Sequence, residues 1–268
     1  MMREYRTRAN WSCRNGEKLY IREFVQFHNL RALGVLHVGA HKAEESIEYI
    51  QNGLADSNPV IWVEAQIRLV EELKTKLDPV KNRVYCAVAW NEDGIKKVFN
   101  LTSKSASSSL FELGKHQEYY PEIDVVERIE VTTMRLDTLL SDRDVFDFVV
   151  LDIQGAESQA IEGLGQRIKN VNWVYTEVSK SELYAGATTF ANLERQLNDL
   201  GFTRVFTAWD RRAGWGDALY ARNSVYQISK KQLVLVQISK IRRFCRSYIP
   251  NWAFPTLVRI KKFVNSVS

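Results

Sequence analysis

FDFVVLDIQGAESQAIEGL, residues 146–164, decides how this chain folds. The stretch begins as a mostly hydrophobic run, passes through a short polar segment at Gly155, and continues as an amphipathic segment. Such a run is typical of a strand that is covered on both faces, as in a parallel sheet. The pattern therefore predicts a strand over 146–155, followed by a helix over 156–168.

The same alternation of strand-type and helix-type segments extends over most of the chain. Strands are predicted at 33–40, 60–65, 84–90 and 171–179, and helices at 44–53, 68–77 and 190–201. The segments 203–210 and 217–223 flank a short loop with glycine, which predicts a hairpin because a parallel crossover needs a longer connection. Alternating strands and helices form a parallel sheet covered on both faces. The sequence thus predicts an α/β fold: a doubly wound, Rossmann-like sheet of seven strands, all parallel except the last.

Three parts of the chain differ in pattern and composition. We expect residues 33–225 to form the α/β domain, with an insertion at about 95–136 that contains two strand-type runs and a serine-rich loop. Residues 1–32 are predicted to be an N-terminal extension. Residues 226–268 are predicted to be a basic, amphipathic, helical tail.

The net charge of +5 is concentrated in the tail. No acidic residue follows Asp217, whereas ten lysines and arginines do, so the remainder of the chain is mildly acidic. A mildly acidic body does not favour binding to nucleic acid. The tail also contains Trp252, Phe254 and Phe263, a composition that suits an anionic membrane surface. Helices packed on the domain's own acidic surface, or a partner-binding extension, explain the same composition.

Cysteine usage and hydropathy indicate a reducing, cytoplasmic setting. The three cysteines are far apart and form neither a disulfide framework nor a zinc-ligand pattern, so we assign no metal ligands. The first residues lack the apolar stretch of a secretory signal, and no run approaches the ~20 apolar residues of a membrane span. We therefore expect a cytoplasmic protein that the tail could hold at the inner membrane face.

The loop after the first strand has the composition of a nucleotide-type ligand site. A doubly wound sheet binds such ligands at the carboxyl ends of its strands. The residues at that place are His37, Gly39, Ala40, His41 and Glu44. Glycine permits close approach of the backbone, and a helix beginning near Ala43 would direct its dipole at a carboxylate or phosphate. A strand that simply ends in glycine is the alternative.

The ends of the second and third strands complete this predicted site. Glu64, with Ala65 beside it, lies roughly 20 residues beyond the glycine, where an acid can bind both ribose hydroxyls. Ala87 and Val88 would border an adenine, since small residues leave room for a flat ring. A surface glutamate in a turn, and small residues that merely pack, are the alternatives.

Polar residues that follow the fourth and fifth strands, or lie in the insertion, are candidates for binding a second ligand, here called the acceptor, beside the nucleotide-type ligand. Asp152 ends the strand quoted first and is our candidate for positioning the acceptor or removing its proton. The candidate acceptor contacts are Ser109, His116, Gln154, Glu157 and Glu177. Structural explanations remain open: Glu157 can complement a helix dipole, the serine loop can be merely polar, and His116 can belong to a partly buried aromatic cluster.

Several segments in the same order resemble the FkbM family of methyltransferases. They are VLHVGAHKAEES (35–46), VIWVEA (60–65), SSSLFELGKH (107–116), VTTMRLDTLL (131–140), FDFVVLDIQGAESQAIEGL (146–164), VYTEVSKSELYAG (174–186) and GWGDALY (214–220). The resemblance implies a class I methyltransferase fold, S-adenosylmethionine as cofactor, and O-methylation of a sugar or polyketide hydroxyl, often in cell-surface glycan synthesis. In that setting His37 to Glu44 would hold the methionine end, Asp152 would also contact the cofactor, and Asp152 or His41 would act as base.

Two positions depart from the family's first motif. His37 stands where an acid is usual, which removes a negative charge near the cofactor's amino group. Ala43 stands where a glycine is usual, which narrows the loop by one methyl group. These departures motivate an alternative function: a catalytically inactive methyltransferase-fold protein that binds cofactor or acts as a scaffold in a glycan-assembly complex. An NAD-dependent oxidoreductase is disfavoured by the missing GxGxxG and by the closing hairpin.

Overall fold

The computed structural model describes residues 21–210 and 214–226. The predicted tail lies outside the described residues apart from Tyr226, and so do residues 1–20 of the predicted extension. Within the described ranges, no helix is both long enough and apolar enough to cross a membrane.

Ten strands and seven helices are named here in chain order among the described residues. The strands are β1 (Val35–Val38), β2 (Val60–Glu64), β3 (Asn82–Cys86), β4 (Val88–Ala89), β5 (Lys96–Thr102), β6 (Val125–Met134), β7 (Phe148–Leu151), β8 (Trp173–Ser179), β9 (Phe202–Trp209) and β10 (Trp215–Arg222). The helices are α1 (Ile21–Phe27), α2 (Ser46–Gln51), α3 (Ile67–Lys76), α4 (His116–Tyr119), α5 (Leu136–Leu139), α6 (Glu157–Gly163) and α7 (Phe190–Asp199).

The main sheet has seven strands in the order β3-β2-β1-β7-β8-β10-β9. β10 is antiparallel to both of its neighbours, and the other pairs are parallel. The predicted seven-stranded, mostly parallel sheet with an antiparallel last strand is therefore confirmed. Because β1 and β7 are adjacent and parallel, the loops that follow them leave from the same edge of the sheet.

The central strands are buried along their whole length, as the apolar runs predict. Every residue of β1, β2 and β7 is buried. Leu36, Val149 and Val174 belong to one large apolar cluster, which also includes Leu193 and Leu197 from α7. This double-sided burial keeps the sheet rigid and holds its carboxyl edge in place.

The third predicted strand is wrong in one respect, because it is two strands in two sheets. β3 extends the main sheet, whereas β4 pairs with β6 in a smaller sheet of order β4-β6-β5. The chain turns between them at Ala87, whose N–H donates to the carbonyl oxygen of Glu64 at 3.0 Å. The smaller sheet thus begins with β4, ahead of the predicted insertion, and within the insertion β5 and β6 form an antiparallel hairpin.

Two predicted helices differ from the observed ones in their bounds. The helix after β1 begins at Ser46, later than predicted, because the chain first passes through a turn with positive φ at His41 (45°) and Ala43 (51°). The helix after β7 ends at Gly163, and a 3-10 helix (Gly165–Asn170) continues the chain. The separation occurs at Gly165, which has φ of 52°, a value that α-helical residues do not adopt.

Helix α1, in the segment predicted as an N-terminal extension, packs on the sheet. Ile21, Phe24 and Leu30 are buried. The Phe24 ring lies 5.6 Å from that of Tyr175 in β8 and 5.2 Å from that of Phe206 in β9, measured between centroids. Residues 21–30 therefore cover part of one face of the main sheet.

We expect Phe24→Ala to lower the free energy of unfolding by about 3–5 kcal/mol, because it removes a buried ring and leaves a cavity. Urea unfolding followed by circular dichroism measures the change. Ile47→Ala is the matched control, because Ile47 is 63% exposed; we expect it to alter the free energy by less than about 0.5 kcal/mol. Equal effects of the two substitutions would mean that α1 contributes no packing energy.

Candidate cofactor and acceptor site

The loop after β1 lies directly against the loop after β7. The N–H groups of Gly39 and Ala40 both donate to the carbonyl oxygen of Val63, at 2.8 and 3.1 Å. Gly39 has φ of 87°, and a Cβ atom on it would lie 1.9 Å from the carbonyl oxygen of Asp152. Only glycine fits here. Gly39, predicted to let the backbone approach a ligand, thus lets the first loop approach the loop after β7.

His41 connects this loop to the insertion. Its Nδ1 lies 2.9 Å from Oε1 of Glu44, and its Nε2 lies 2.9 Å from Oγ of Ser105. Partial burial would raise the pKa of Glu44, but hydrogen bonds from His41 and from backbone N–H groups outweigh it and lower that pKa to about 2. The ring of His41 is therefore oriented by both of its nitrogens.

Glu64 is buried at the end of β2, directly beside the first loop. Its Oε2 accepts the N–H of His41 at 2.8 Å, and its Oε1 accepts the N–H of Gln66 at 2.9 Å. Burial raises the pKa of Glu64, opposed by these two backbone hydrogen bonds. Ala65 follows Glu64 in the chain, and Ala87 is joined to the Glu64 backbone. The residues predicted for ribose and adenine, including the buried Val88, are therefore neighbours.

His37 occupies a different place from the other predicted cofactor residues. Its side chain is 2% exposed, with Nδ1 2.9 Å from the hydroxyl of Tyr49 and its ring stacked on that of Trp62 at 4.9 Å. It therefore lies in the core beneath the loop, because side chains along β1 alternate between the two faces of the sheet. Leu36 and Val38 occupy the opposite face, within the main apolar cluster.

A second polar group forms around Gln154, in the loop after β7. The Gln154 amide nitrogen lies 2.6 Å from Oδ1 of Asp152 and 2.9 Å from Oε2 of Glu177. Its amide oxygen accepts the hydroxyl of Tyr184 at 2.6 Å. Three of the predicted site residues are thus brought together by one amide, and Tyr184 joins them.

Ser109 ties the insertion to the same loop. Its Oγ donates to the carbonyl oxygen of Gln154 at 2.7 Å and accepts the N–H of Phe111 at 3.0 Å. A Cβ on Gly155 would lie 2.8 Å from Cβ of Ala187 and 3.2 Å from the Phe111 ring. The serine-rich loop therefore packs tightly over the loop after β7.

Glu157, at the start of α6, is buried and faces the turn that precedes it. Its Oε1 accepts the N–H groups of Ile153 at 3.2 Å and Gly155 at 3.1 Å. Burial raises the pKa of Glu157 to about 7, despite these hydrogen bonds. The carboxyl group therefore holds the turn in shape through these two hydrogen bonds.

His116 contacts the Gln154 group only indirectly, through Tyr184. Its ring lies between those of Tyr120 and Tyr184, at centroid distances of 5.0 and 5.1 Å. Burial lowers the pKa of His116, which favours the neutral imidazole. Its backbone N–H donates to the carbonyl oxygen of Leu183 at 2.8 Å.

An open cleft lies beside the Gln154 group. Its lining includes Glu157, Glu177, Tyr184 and Ala187. Glu177 and Tyr184 connect this cleft to the Gln154 amide, to which both are hydrogen-bonded.

Sequence reasoning missed three residues of the site. Ser105 contacts His41, Gln66 donates from its side-chain amide to the carbonyl oxygen of Ser105 at 3.2 Å, and Tyr184 contacts Gln154. Tyr184 lies in the quoted segment VYTEVSKSELYAG, so the resemblance carried a signal for it. The partnership of Gln66 with Ser105 had no such signal, because the two residues are 39 positions apart.

We expect Ala43→Gly to raise the free energy of unfolding by about 0.5–1 kcal/mol, because Ala43 has φ of 51° and glycine adopts that conformation without strain. Ala40→Gly is the control: Ala40 is equally buried but has no positive φ, and its substitution should lower stability by about 1 kcal/mol. Thermal and urea unfolding measure both. A loss of stability in both variants would show that the strain is absent.

We expect the stability of Glu157→Gln, relative to the wild type, to rise with pH. The carboxyl group of Glu157 has a raised pKa of about 7 in the fold, against 4.5 in the reference state. The stabilising contribution of this carboxyl group to the wild type is therefore fully present below about pH 4.5. As the pH rises to about 7, the wild type loses about 3 kcal/mol of its free energy of unfolding. Urea titrations between pH 4 and 8 measure this difference. Glu162→Gln, a surface change on the same helix, should show no such trend, and a flat difference for Glu157→Gln would contradict the burial of its charge.

A match to a protein-family model identifies the family of this chain. Residues 37–204 match the Methyltransferase FkbM domain. The 2-O-methyltransferase NoeI of Sinorhizobium fredii is 34% identical over 98 residues, which cover 36% of this chain and 38% of NoeI. The chain therefore matches less than half the length of this curated relative.

Solved structures with a similar fold have low sequence identity to this chain. Methyltransferase FkbM from Methylobacillus flagellatus is 14% identical, with a TM-score of 0.43, over 70% of this chain and 43% of that one. The S-adenosylmethionine-bound magnesium protoporphyrin IX methyltransferase of Synechocystis is 12% identical, with a TM-score of 0.41, over 76% of each chain. The domain match alone covers more than half of the sequence, and the chain belongs to the FkbM family of S-adenosylmethionine-dependent methyltransferases.

Proposed function

We propose that this chain transfers a methyl group from S-adenosylmethionine to a hydroxyl group of a sugar or glycan. One observation carries the proposal: Glu64, on one side of the first loop, and the Gln154 group, on the other, lie at the same edge of the sheet. The first loop therefore has Glu64, an acid suited to ribose hydroxyls, on one side. On its other side are Asp152 and Glu177, acids suited to an acceptor hydroxyl. The relative NoeI, a 2-O-methyltransferase by name, supports oxygen as the methylated atom.

The residues on the cofactor side suit S-adenosylmethionine. The N–H groups of His41 and Gln66 donate to the two oxygens of Glu64, and the Ala65 N–H also interacts with the carboxylate, whereas a carboxylate offers about four lone-pair positions. Glu64 therefore keeps capacity for the hydroxyl groups of a ribose. The bound cofactor would supply an electrophilic methyl group on a positively charged sulfur. The carboxylates of Asp152 and Glu177 favour a positive charge at this edge.

The residues on the acceptor side suit a hydroxyl group. Methyl transfer by direct displacement needs alignment of the acceptor oxygen and removal of its proton. Glu177 and Tyr184 line the cleft, and Asp152 shares the Gln154 amide with Glu177. In this proposal Asp152 accepts the hydroxyl proton and Glu177 helps to orient the sugar. His41, held between Glu44 and Ser105, stabilises the first loop.

The two departures from the family pattern leave the loop intact. His37 is hydrogen-bonded within the core, and Ala43 adopts the positive φ that a glycine would adopt. A catalytically inactive, cofactor-binding or scaffolding protein is the competing function, motivated by the same two residues. Failure to bind the cofactor would remove both the transferase and the cofactor-binding form of that alternative.

The proposal extends to location and partners. We propose a cytoplasmic protein that meets its glycan acceptor at the inner membrane face. The support is the basic, aromatic composition of 226–268, which suits anionic lipids. Proteins of glycan assembly are the competing partner for this segment. The division into an extension (1–32), a domain (33–225) and a tail (226–268) is part of the same proposal.

The decisive experiment is calorimetric titration with S-adenosylmethionine and S-adenosylhomocysteine. We expect both to bind to the wild type, and Glu64→Gln to weaken binding at least about tenfold, because one acceptor of the ribose hydroxyls becomes a donor. Glu72→Gln is the control, because Glu72 is an exposed residue of α3 that forms an ion pair with Arg68. Equal affinities in the wild type and Glu64→Gln would remove Glu64 from the cofactor site.

The acceptor class needs a second assay on the same protein. Radiolabelled S-adenosylmethionine is offered with a panel of methyl glycosides and, separately, with short peptides. If a glycoside becomes labelled and the label survives mild base, the methyl group is bound as an ether, and the result supports the proposal. Label in the peptides alone would overturn it.

A further inference from the structure

The side chain of Gln154 is surrounded by three polar partners and makes a hydrogen bond to each. Its amide nitrogen donates to Oδ1 of Asp152 at 2.6 Å and to Oε2 of Glu177 at 2.9 Å. Tyr184 donates its hydroxyl to the amide oxygen at 2.6 Å. Carboxylates only accept hydrogen bonds, so the amide nitrogen must face them and the amide oxygen must face Tyr184.

We propose that Gln154, oriented by Tyr184, is a positioning residue that holds the carboxylates of Asp152 and Glu177 together as an ionised pair at the acceptor cleft. The role in methyl transfer rests on the proposed function, since Asp152 and Glu177 are there the acceptor contacts. The pairing itself is a property of the chain alone.

The geometry of one amide fixes the separation of the two acids. Its two hydrogens point about 120° apart, so the two accepting oxygens lie about 5 Å from each other. At that distance, like charges disfavour the ionisation of both groups. Hydrogen bonds to the charged form favour ionisation. The amide therefore offsets the repulsion that its own position creates.

The backbone of Gln154 indicates that the side chain is needed. Its φ is 54°, a conformation that glycine adopts freely and that costs other residues free energy. Such a conformation persists where the surroundings hold it. Ser109 donates to the Gln154 carbonyl oxygen at 2.7 Å, and the side chain is held by the three bonds described above. A glycine would satisfy the backbone but could not bridge the two acids.

Other titratable groups face the pair from the elements around it. Glu157 in α6 interacts electrostatically with Asp152, and so does Tyr49 in α2. Asp217 in β10 lies directly opposite Glu177 in the antiparallel register, and such neighbours are close on one face of a sheet. The groups named here are acidic or neutral, whereas the Gln154 amide donates a hydrogen bond to each carboxylate of the pair.

Tyr184 is itself suited to donate. Burial, followed by the nearby charges of Glu177 and Asp152, raises the pKa of Tyr184 well above its ordinary value. The hydroxyl therefore keeps its proton over the whole range in which carboxyl groups titrate. The Tyr184 ring packs against the ring of His116, which is tilted to it, at a centroid distance of 5.1 Å.

The test is a titration of carboxyl carbons by ¹³C nuclear magnetic resonance on the full chain without cofactor. Asp152→Asn and Glu177→Gln assign the two signals. Gln154→Gly removes the side-chain amide and also the strain of the positive φ. In this variant we expect the titration midpoint of at least one of the two carboxyl groups to move to higher pH by about 1–2 units. Tyr184→Phe keeps the amide but frees its orientation, so a smaller shift in the same direction is expected.

Two further variants make the result specific. Gln154→Glu keeps the length of the side chain but replaces the donor with a third acid, and should move the midpoints further than Gln154→Gly does. Gln196→Glu adds the same charge on α7, where the amide contacts Ser158 instead; it should move neither midpoint. Because Gln154→Glu and Tyr184→Phe preserve side-chain volume, the proposal remains testable if Gln154→Gly does not fold.

Midpoints that stay within about 0.3 unit of the wild type in folded Gln154 variants would overturn the proposal. Shifts of equal size in Gln196→Glu would overturn it as well, by indicating a general charge effect. The cofactor titration of the preceding section is run on the same samples. Shifted midpoints without cofactor binding confirm the pair and overturn the proposed function, whereas cofactor binding without shifted midpoints overturns the pair alone.

Discussion

The close contact between the loops after β1 and β7 is the constraint on which the rest of the site depends. No side chain fits between Gly39 and the carbonyl oxygen of Asp152, so the two loops touch backbone to backbone. This contact exists because β1 and β7 are adjacent, parallel and buried, and so end at the same edge. It leaves Glu64 on one side of the first loop and the Gln154 group on the other.

Strain and buried charge are concentrated at this edge. His41, Ala43 and Gln154 have positive φ without being glycine, and Glu64 and Glu157 are buried acids whose pKa values are raised chiefly by burial. Each feature is unfavourable alone and is stabilised by hydrogen bonds from neighbouring backbone or by the apolar core beneath. Positive φ values and buried acids that occur together at one edge of a sheet are typical of a functional site.

The insertion, although it interrupts the alternation of the domain, is part of the site. Ser105 contacts His41 beside Glu64, and Ser109 contacts the Gln154 backbone. One short loop thus touches both sides of the proposed centre.

The sequence by itself determined the fold class, the alternation of strands and helices in the main sheet, the reversed last strand, and the acids that end β2 and follow β7. These follow from local patterns: apolar runs, helical spacing, glycine stops and a short final loop. Only the tertiary structure decided that His37 faces the core, that the run 84–90 divides between two sheets, and that Gln154 joins Asp152, Glu177 and Tyr184. The physical reason is that strand register and loop packing set which face a side chain occupies and which distant residue it meets.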